Sequence, residues 1–263
     1  MVGCDRLRRI DGESVSWLRE GETPLLRDYE LQPRSRKTID AFSESELRER
    51  SFGAKVTFDQ PGFAERSMYF GSNPVWTGGH AAAGATAPGT NWFLAEGATG
   101  SFFTTFVLIA NPGDQPAEIT LTFYPEFGLP VTRTDVVAPG QRMTRNIALE
   151  DASLASAAVA TRVTSTQPVI VERSQYWGSP TWVESHNSVG VQHASREWVL
   201  AESRVTVGVT GAEDGLVPEL TDETFSTLIE STQPIIVERS LYWNANGVIW
   251  AAGTNATAMP LPH

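Results

Sequence analysis

Ala117-Glu-Ile-Thr-Leu-Thr-Phe-Tyr124 alternates along its length, with Ile119, Leu121 and Phe123 on one face of an extended chain and Glu118, Thr120 and Thr122 on the other. That pattern is a half-buried β-strand, and the segments around it follow suit. Phe102 to Ala110 is apolar on both faces, as a central strand is, and stops at the turn Asn111-Pro-Gly-Asp114. Val131 to Val137, Arg142 to Ile147, Ala157 to Thr164 and Val169 to Trp177 complete the series, with turns read at Pro139-Gly140 and Gln167-Pro168. Only Leu149 to Ala157 has room for a helical turn. Seven or so strands in about 100 residues predict an all-β fold of two packed antiparallel sheets.

The chain also repeats itself. Trp92-Phe-Leu-Ala-Glu96 returns 106 residues later as Trp198-Val-Leu-Ala-Glu202. Gln60-Pro61 with Glu65-Arg66-Ser67 returns as Gln167-Pro168 with Glu172-Arg173-Ser174, and again as Gln233-Pro234 with Glu238-Arg239-Ser240. Stacks of similar units build surfaces, stalks and arrays, whereas a catalytic pocket needs one constellation per molecule. The reading is therefore tandem antiparallel β-sandwich repeats with incomplete terminal copies: a partial repeat over 1–90, a complete one over 91–196 and a truncated one over 197–263. The first copy lacks the opening Trp-x-Leu-Ala-Glu strand and the last lacks the middle strands, its Glu-Arg-Ser arriving only 66 residues after the previous one. Missing strands leave open edges, with two expected outcomes: the strand near Trp92 closes the first copy and that near Trp198 the second, giving units permuted relative to the motif order, or the partial copies complete each other, a neighbouring repeat or a second chain.

Composition narrows the partners. A 41% hydrophobic content with eight tryptophans can fill several small cores. The formal charge is −11, and residues 61–263 hold 9 Lys and Arg against 19 Asp and Glu. Such a surface repels phosphate and anionic head groups, which argues against nucleic acid and membrane surfaces. One cysteine, Cys4, excludes an internal disulfide and thiolate metal clusters. No run of about 18 apolar residues is present, so no membrane insertion is expected.

Trp92-Phe-Leu-Ala-Glu-Gly97, Leu108-Ile-Ala-Asn-Pro-Gly-Asp114, Glu118-Ile-Thr-Leu-Thr-Phe-Tyr124, Val137-Ala-Pro139 and Gln167-Pro-Val-Ile-Val171 together resemble the sensory rhodopsin transducer family, over roughly Trp92 to Gln192 in one register. The resemblance implies a small cytoplasmic β-sandwich that oligomerises and acts by binding. In tandem form the chain is similar to repeats of exported bacterial surface proteins.

Seven of the eight tryptophans recur at repeat-equivalent places. Flat indole faces can stack on sugar rings, which makes Trp76, Trp177, Trp182, Trp243 and Trp250 the candidate glycan-binding residues. Recurrence at a fixed place favours core packing over a sugar platform. In the Glu-Arg-Ser motif, Arg173 shares a strand face with Val171 and Trp177, so its charge needs a partner; Glu96 is the expected one, as a structural ion pair. His80 and His186 each follow a tryptophan by four residues, but Thr254 stands in the third copy, so both are read as turn or loop packing residues. His186 and His193 are seven apart and would face oppositely on a strand, against joint metal binding. Thr77-Gly78-Gly79 is read as a turn, and the acidic stretches Glu213-Asp-Gly215 and Glu219 to Glu223 as solvated charge.

No catalytic, metal or cofactor site is expected. The sequence points to a non-enzymatic, multivalent structural or adhesive module at the bacterial surface. Its rivals are a cytoplasmic transducer-like oligomer and a carbohydrate-binding module.

Overall fold

The computed structural model describes residues 13–72, 75–178, 182–192, 238–245 and 248–257, with side chains for 14–71, 78–178 and 182–192. Among these residues the chain is all-β and every strand pairing is antiparallel. The strands are β1 (Glu13–Arg19), β2 (Leu25–Tyr29), β3 (Phe52–Phe58), β4 (Glu65–Ser72), β5 (Val75–Ala83), β6 (Gly89–Leu94), β7 (Phe103–Ala110), β8 (Ala117–Pro125), β9 (Val131–Val137), β10 (Arg142–Asn146), β11 (Val159–Trp177), β12 (Glu184–Val189), β13 (Glu238–Ala245) and β14 (Val248–Thr257). Leu149 to Ala157 does hold a helical turn: a 3-10 turn at Ala152–Leu154 lies within it and another at Ile147–Leu149 ends where it begins, each started by a side chain, Asp151 and Asn146, that accepts a main-chain N–H.

β11 organises the largest sheet. Its first half lies between β8 and β6, and its second half between β7 and β12. β9 extends β8 and β10 extends β7, so seven strands curl into a half-barrel. The core inside it takes Trp92 and Leu94 from β6, Val107 and Ile109 from β7, Ile119, Leu121 and Phe123 from β8, and Val163, Val169 and Val171 from β11. The alternation along Ala117–Tyr124 is thus the alternation of core and outer face.

Two expectations change. The two packed sheets are not separate layers, because one 19-residue strand, β11, belongs to both. Gln167-Pro168 is not a turn but lies within that strand. Pairing with β8 ends at Ser165↔Ile119 and pairing with β7 begins at Ile170↔Ala110, while the β6 register jumps from Thr164↔Asn91 to Val169↔Gly89. The proline therefore falls between two ladders, where no N–H is called on.

A smaller sheet, ordered β2-β1-β3, has its own core of Val15, Trp17 and Leu47, with the Trp17 and Phe52 rings edge to face at 5.4 Å. Among the described residues β3 pairs with β1 alone. Its registers repeat those of the half-barrel. Glu13↔Tyr29 matches Ile119↔Asp135, and Trp17↔Ala54 matches Phe123↔Thr161. The hairpins β4–β5, β11–β12 and β13–β14 also correspond, pairing Ser67↔Ala81, Ser174↔Asn187 and Ser240↔Asn255. Even a turn bond recurs: Gly84 N–H donates to Ala64 O at 3.1 Å, and Gly190 N–H to Val171 O at 2.9 Å.

Candidate interaction site

The Glu-Arg-Ser strands and the histidine-bearing strands meet where β5 and β14 both pack against β12. Gly78 and Gly79 make the approach of β5 possible. A Cβ on Gly78 would lie 2.5 Å from Phe70 Cζ and 2.6 Å from the Val183 carbonyl oxygen, and one on Gly79 2.6 Å from the Met68 carbonyl oxygen. The pair is thus a point of close contact inside β5, not the turn read from sequence. His80 and His186 are likewise strand residues, on β5 and β12, rather than loop residues.

Across this seam Arg66 reaches Glu172 at 3.4 Å. His80 Nδ1 lies 2.6 Å from Ser185 Oγ, and the Tyr176 hydroxyl donates to Met68 Sδ at 3.4 Å. Tyr176 is the hub of an aromatic cluster, with ring centroids of Phe70, Phe106 and Trp182 at 5.5, 5.9 and 4.5 Å. Burial raises its phenol pKa. Burial, with the nearby Arg66 charge, lowers His80 to about 4; burial, Arg173 and His80 lower His186 to about 3. Both rings are therefore neutral near pH 7.

Ser185 and His80 have the spacing of a nucleophile and its base. Ser185 is only 3% exposed, and among the described residues His80 Nε2 has no hydrogen-bond partner to orient the ring. The contact joins β5 to β12. Among the described residues no three His, Cys, Asp or Glu side chains gather into a metal-holding group, and no helix is long and apolar enough to cross a membrane. A shallow polar concavity lined by Arg19, Glu20, Glu22, Glu49, Arg50 and Ser51 is crossed by ion pairs from Glu22 to Arg19 and Arg50.

Arg173 is fully buried, and its Nη1 donates to the main-chain carbonyl of Glu96 on the loop after β6. The two residues singled out together in the sequence are thus neighbours, with the backbone of Glu96 as acceptor. Trp177 is fully buried between Phe103 and His186 and offers no indole face to a sugar, which corrects its place among the candidates. Trp182 is 41% exposed and stacks on Tyr176 with one face. Trp76, Trp243 and Trp250 sit on β5, β13 and β14, and their indoles lie outside the described side chains. His193, Trp198, Glu202 and the two acidic stretches lie outside the described residues.

A different surface escaped the sequence reading. Phe127 and Leu129, at the β8–β9 turn, are 85% and 84% exposed, and Val136 projects from the adjoining strand β9. Among the described residues β9 pairs with β8 alone, at the edge of the sheet. The signal was available in Glu126-Phe-Gly-Leu-Pro130, where two large apolar residues flank a turn glycine.

No family model matches the chain, and no curated protein matches it significantly. Among solved structures it is similar to Thermotoga maritima 1070, at 19% identity over 40% of this chain and 96% of that one, with a TM-score of 0.36. It is also similar to the Anabaena sensory rhodopsin transducer, at 21% identity over 34% of this chain and 91% of that one, with a TM-score of 0.30.

Proposed function

We propose that the chain is a non-catalytic binding scaffold made of copies of one β-unit, an oligomeric protein of the transducer type. The observation that carries this reading is register: three hairpins centred on Ser67, Ser174 and Ser240 pair in the same way, each strand bearing Glu-Arg-Ser. Duplicated pairing supports the tandem reading, with the first boundary between the end of β5 at Ala83 and the start of β6 at Gly89. The most distinctive polar motif is absorbed by packing, since Arg173 is buried on Glu96 O and Arg66 spans to Glu172. Binding then falls to the outer surface, where the β9 edge and the apolar tip Phe127–Leu129 present unpaired backbone beside exposed hydrophobic groups.

Sedimentation velocity on the full chain tests this. A concentration-dependent oligomer is expected, dissociating at least tenfold more readily in the Phe127→Ser/Leu129→Ser variant; a monomer at every concentration would sink the reading. Adhesion at the bacterial surface would use the same scaffold and is separated from a cytoplasmic role by cell fractionation. Trp182, half-exposed on Tyr176, keeps a sugar-binding reading open: a glycan array signal lost in Trp182→Ala would support it.

A further inference from the structure

A Glu-Arg-Ser hairpin has two faces of different chemistry, and one such hairpin docks on another through unlike faces. On β4–β5, strand alternation and the pair Met68↔His80 place Arg66, Met68, Phe70 and His80 on one face. That face meets β11–β12. Arg66 reaches Glu172 at 3.4 Å, Met68 Sδ accepts from the Tyr176 hydroxyl, the Phe70 ring lies edge to face with Tyr176, and His80 Nδ1 is 2.6 Å from Ser185 Oγ. The pairs Ser174↔Asn187 and Tyr176↔Ser185 put Glu172, Ser174, Tyr176 and Ser185 on a single face of β11–β12. An arginine face therefore sits on a glutamate face.

The other side of β4–β5 is a second glutamate face. Its registers Glu65↔Ala83, Ser67↔Ala81 and Tyr69↔Gly79 match Glu172↔Val189, Ser174↔Asn187 and Tyr176↔Ser185. Burial separates the two. Ser174 and Ser185 are 2% and 3% exposed beneath β4–β5, whereas Glu65, Ser67, Ala81 and Ala83 are exposed and Tyr69 is 62% exposed. The Tyr69 ring leans over Gly79, where a Cβ would lie 2.9 Å from its Cδ1. With Ala83, Ala81 and Gly79 along it, β5 presents nothing taller than a methyl group on this side.

The hairpin β13–β14 carries the matching sequence in the matching register. Leu241↔Thr254 repeats Met68↔His80, and Arg239↔Ala256 repeats Arg66↔Ala82, so Arg239, Leu241 and Trp243 hold the register positions of Arg66, Met68 and Phe70. We propose that the Glu65–Tyr69 face of β4–β5 docks the Arg239 strand of β13–β14 from a second copy of the chain, repeating between molecules the contact that Arg66 makes with Glu172 within one. Opposite charges of Glu65 and Arg239 fix the register, while Tyr69 and the flat alanine and glycine surface supply contact area. Two different faces meet, so the association is heterologous and, unless its rotation closes a ring, open-ended.

This contact rests on the repeat reading and deepens it, with a surface and a mate distinct from Phe127 and Leu129. The test uses full-length chain carrying Phe127→Ser/Leu129→Ser, which takes the β8–β9 turn out of play. In sedimentation velocity this parent should still associate as concentration rises. Glu65→Arg and Arg239→Glu should each weaken that association by about tenfold or more, because each sets like charges face to face. The double variant Glu65→Arg/Arg239→Glu reverses the pair and should restore it, which a merely misfolded β13 would not allow. Tyr69→Ser, which leaves β13 untouched, should weaken association to a similar degree. A parent that is monomeric at every concentration, a Glu65→Arg or Tyr69→Ser chain that associates like the parent, or a double variant no stronger than the single ones overturns the proposal. Association of the unmodified chain that vanishes in the parent assigns oligomer formation to Phe127 and Leu129 and overturns the hairpin contact alone.

Discussion

Gly78 and Arg173 show how differently two residues declare themselves. A charged side chain between valines on a strand announces that it must be buried with a partner, and Arg173 is buried with Glu96 as its neighbour. That the acceptor is a main-chain carbonyl was not legible, because spacing along the chain says nothing about which atom of a neighbour faces in. We expect Arg173→Ala to lower stability by about 2 to 5 kcal/mol in urea denaturation, through the cavity and the stranded carbonyl. A loss below about 1 kcal/mol would mean that the site collapses or hydrates freely. Gly78-Gly79 carried the opposite signal, since paired glycines mark turns far more often than close contacts. Gly78→Ala places a methyl against Phe70 and Val183 and should cost about 1 to 3 kcal/mol; an unchanged midpoint would show that β5 can shift away.

Strands with one wet face were readable because their alternation is a direct consequence of burial. Ala117–Tyr124 and Val131–Val137 emerge as β8 and β9 with nearly the expected bounds. β11 was not, since Gln-Pro is ordinary punctuation and nothing local reveals that two ladders hand over at that point. Earlier in the chain Gln60-Pro61 does separate two strands, β3 and β4, so one dipeptide has two outcomes set by tertiary pairing. The hand-over makes a testable contrast. Pro168→Ala should change the melting temperature little, whereas Val163→Pro, with β8 on one side and β6 on the other, should unfold the half-barrel. Equal effects of the two would contradict the proposed gap between ladders.

The seam between hairpins gives the folded chain a pH dependence whose sign is fixed by burial. His80 and His186 are held near 4 and 3, below the ordinary 6.5, so above pH 6.5 they are neutral folded or unfolded. Between 6.5 and about 4 the unfolded chain takes up protons that the folded chain refuses, and stability falls with pH. The melting temperature should therefore drop on going from pH 7 to 5, and by less in His80→Thr/His186→Thr, which copies Thr254; an identical slope would acquit the histidines. Recurrence marked these residues as equivalent turn or loop residues; their meeting on two strands needs the packing of β5 on β12. β11 has one more implication, for load. Hydrogen bonds in an antiparallel ladder run across the strands, so tension applied along this shared strand is borne by neighbours on both of its flanks at once, in shear rather than one bond after another. A tether drawn along β11 should therefore yield in one high-force step, above the force that parts the two-stranded β4–β5 hairpin.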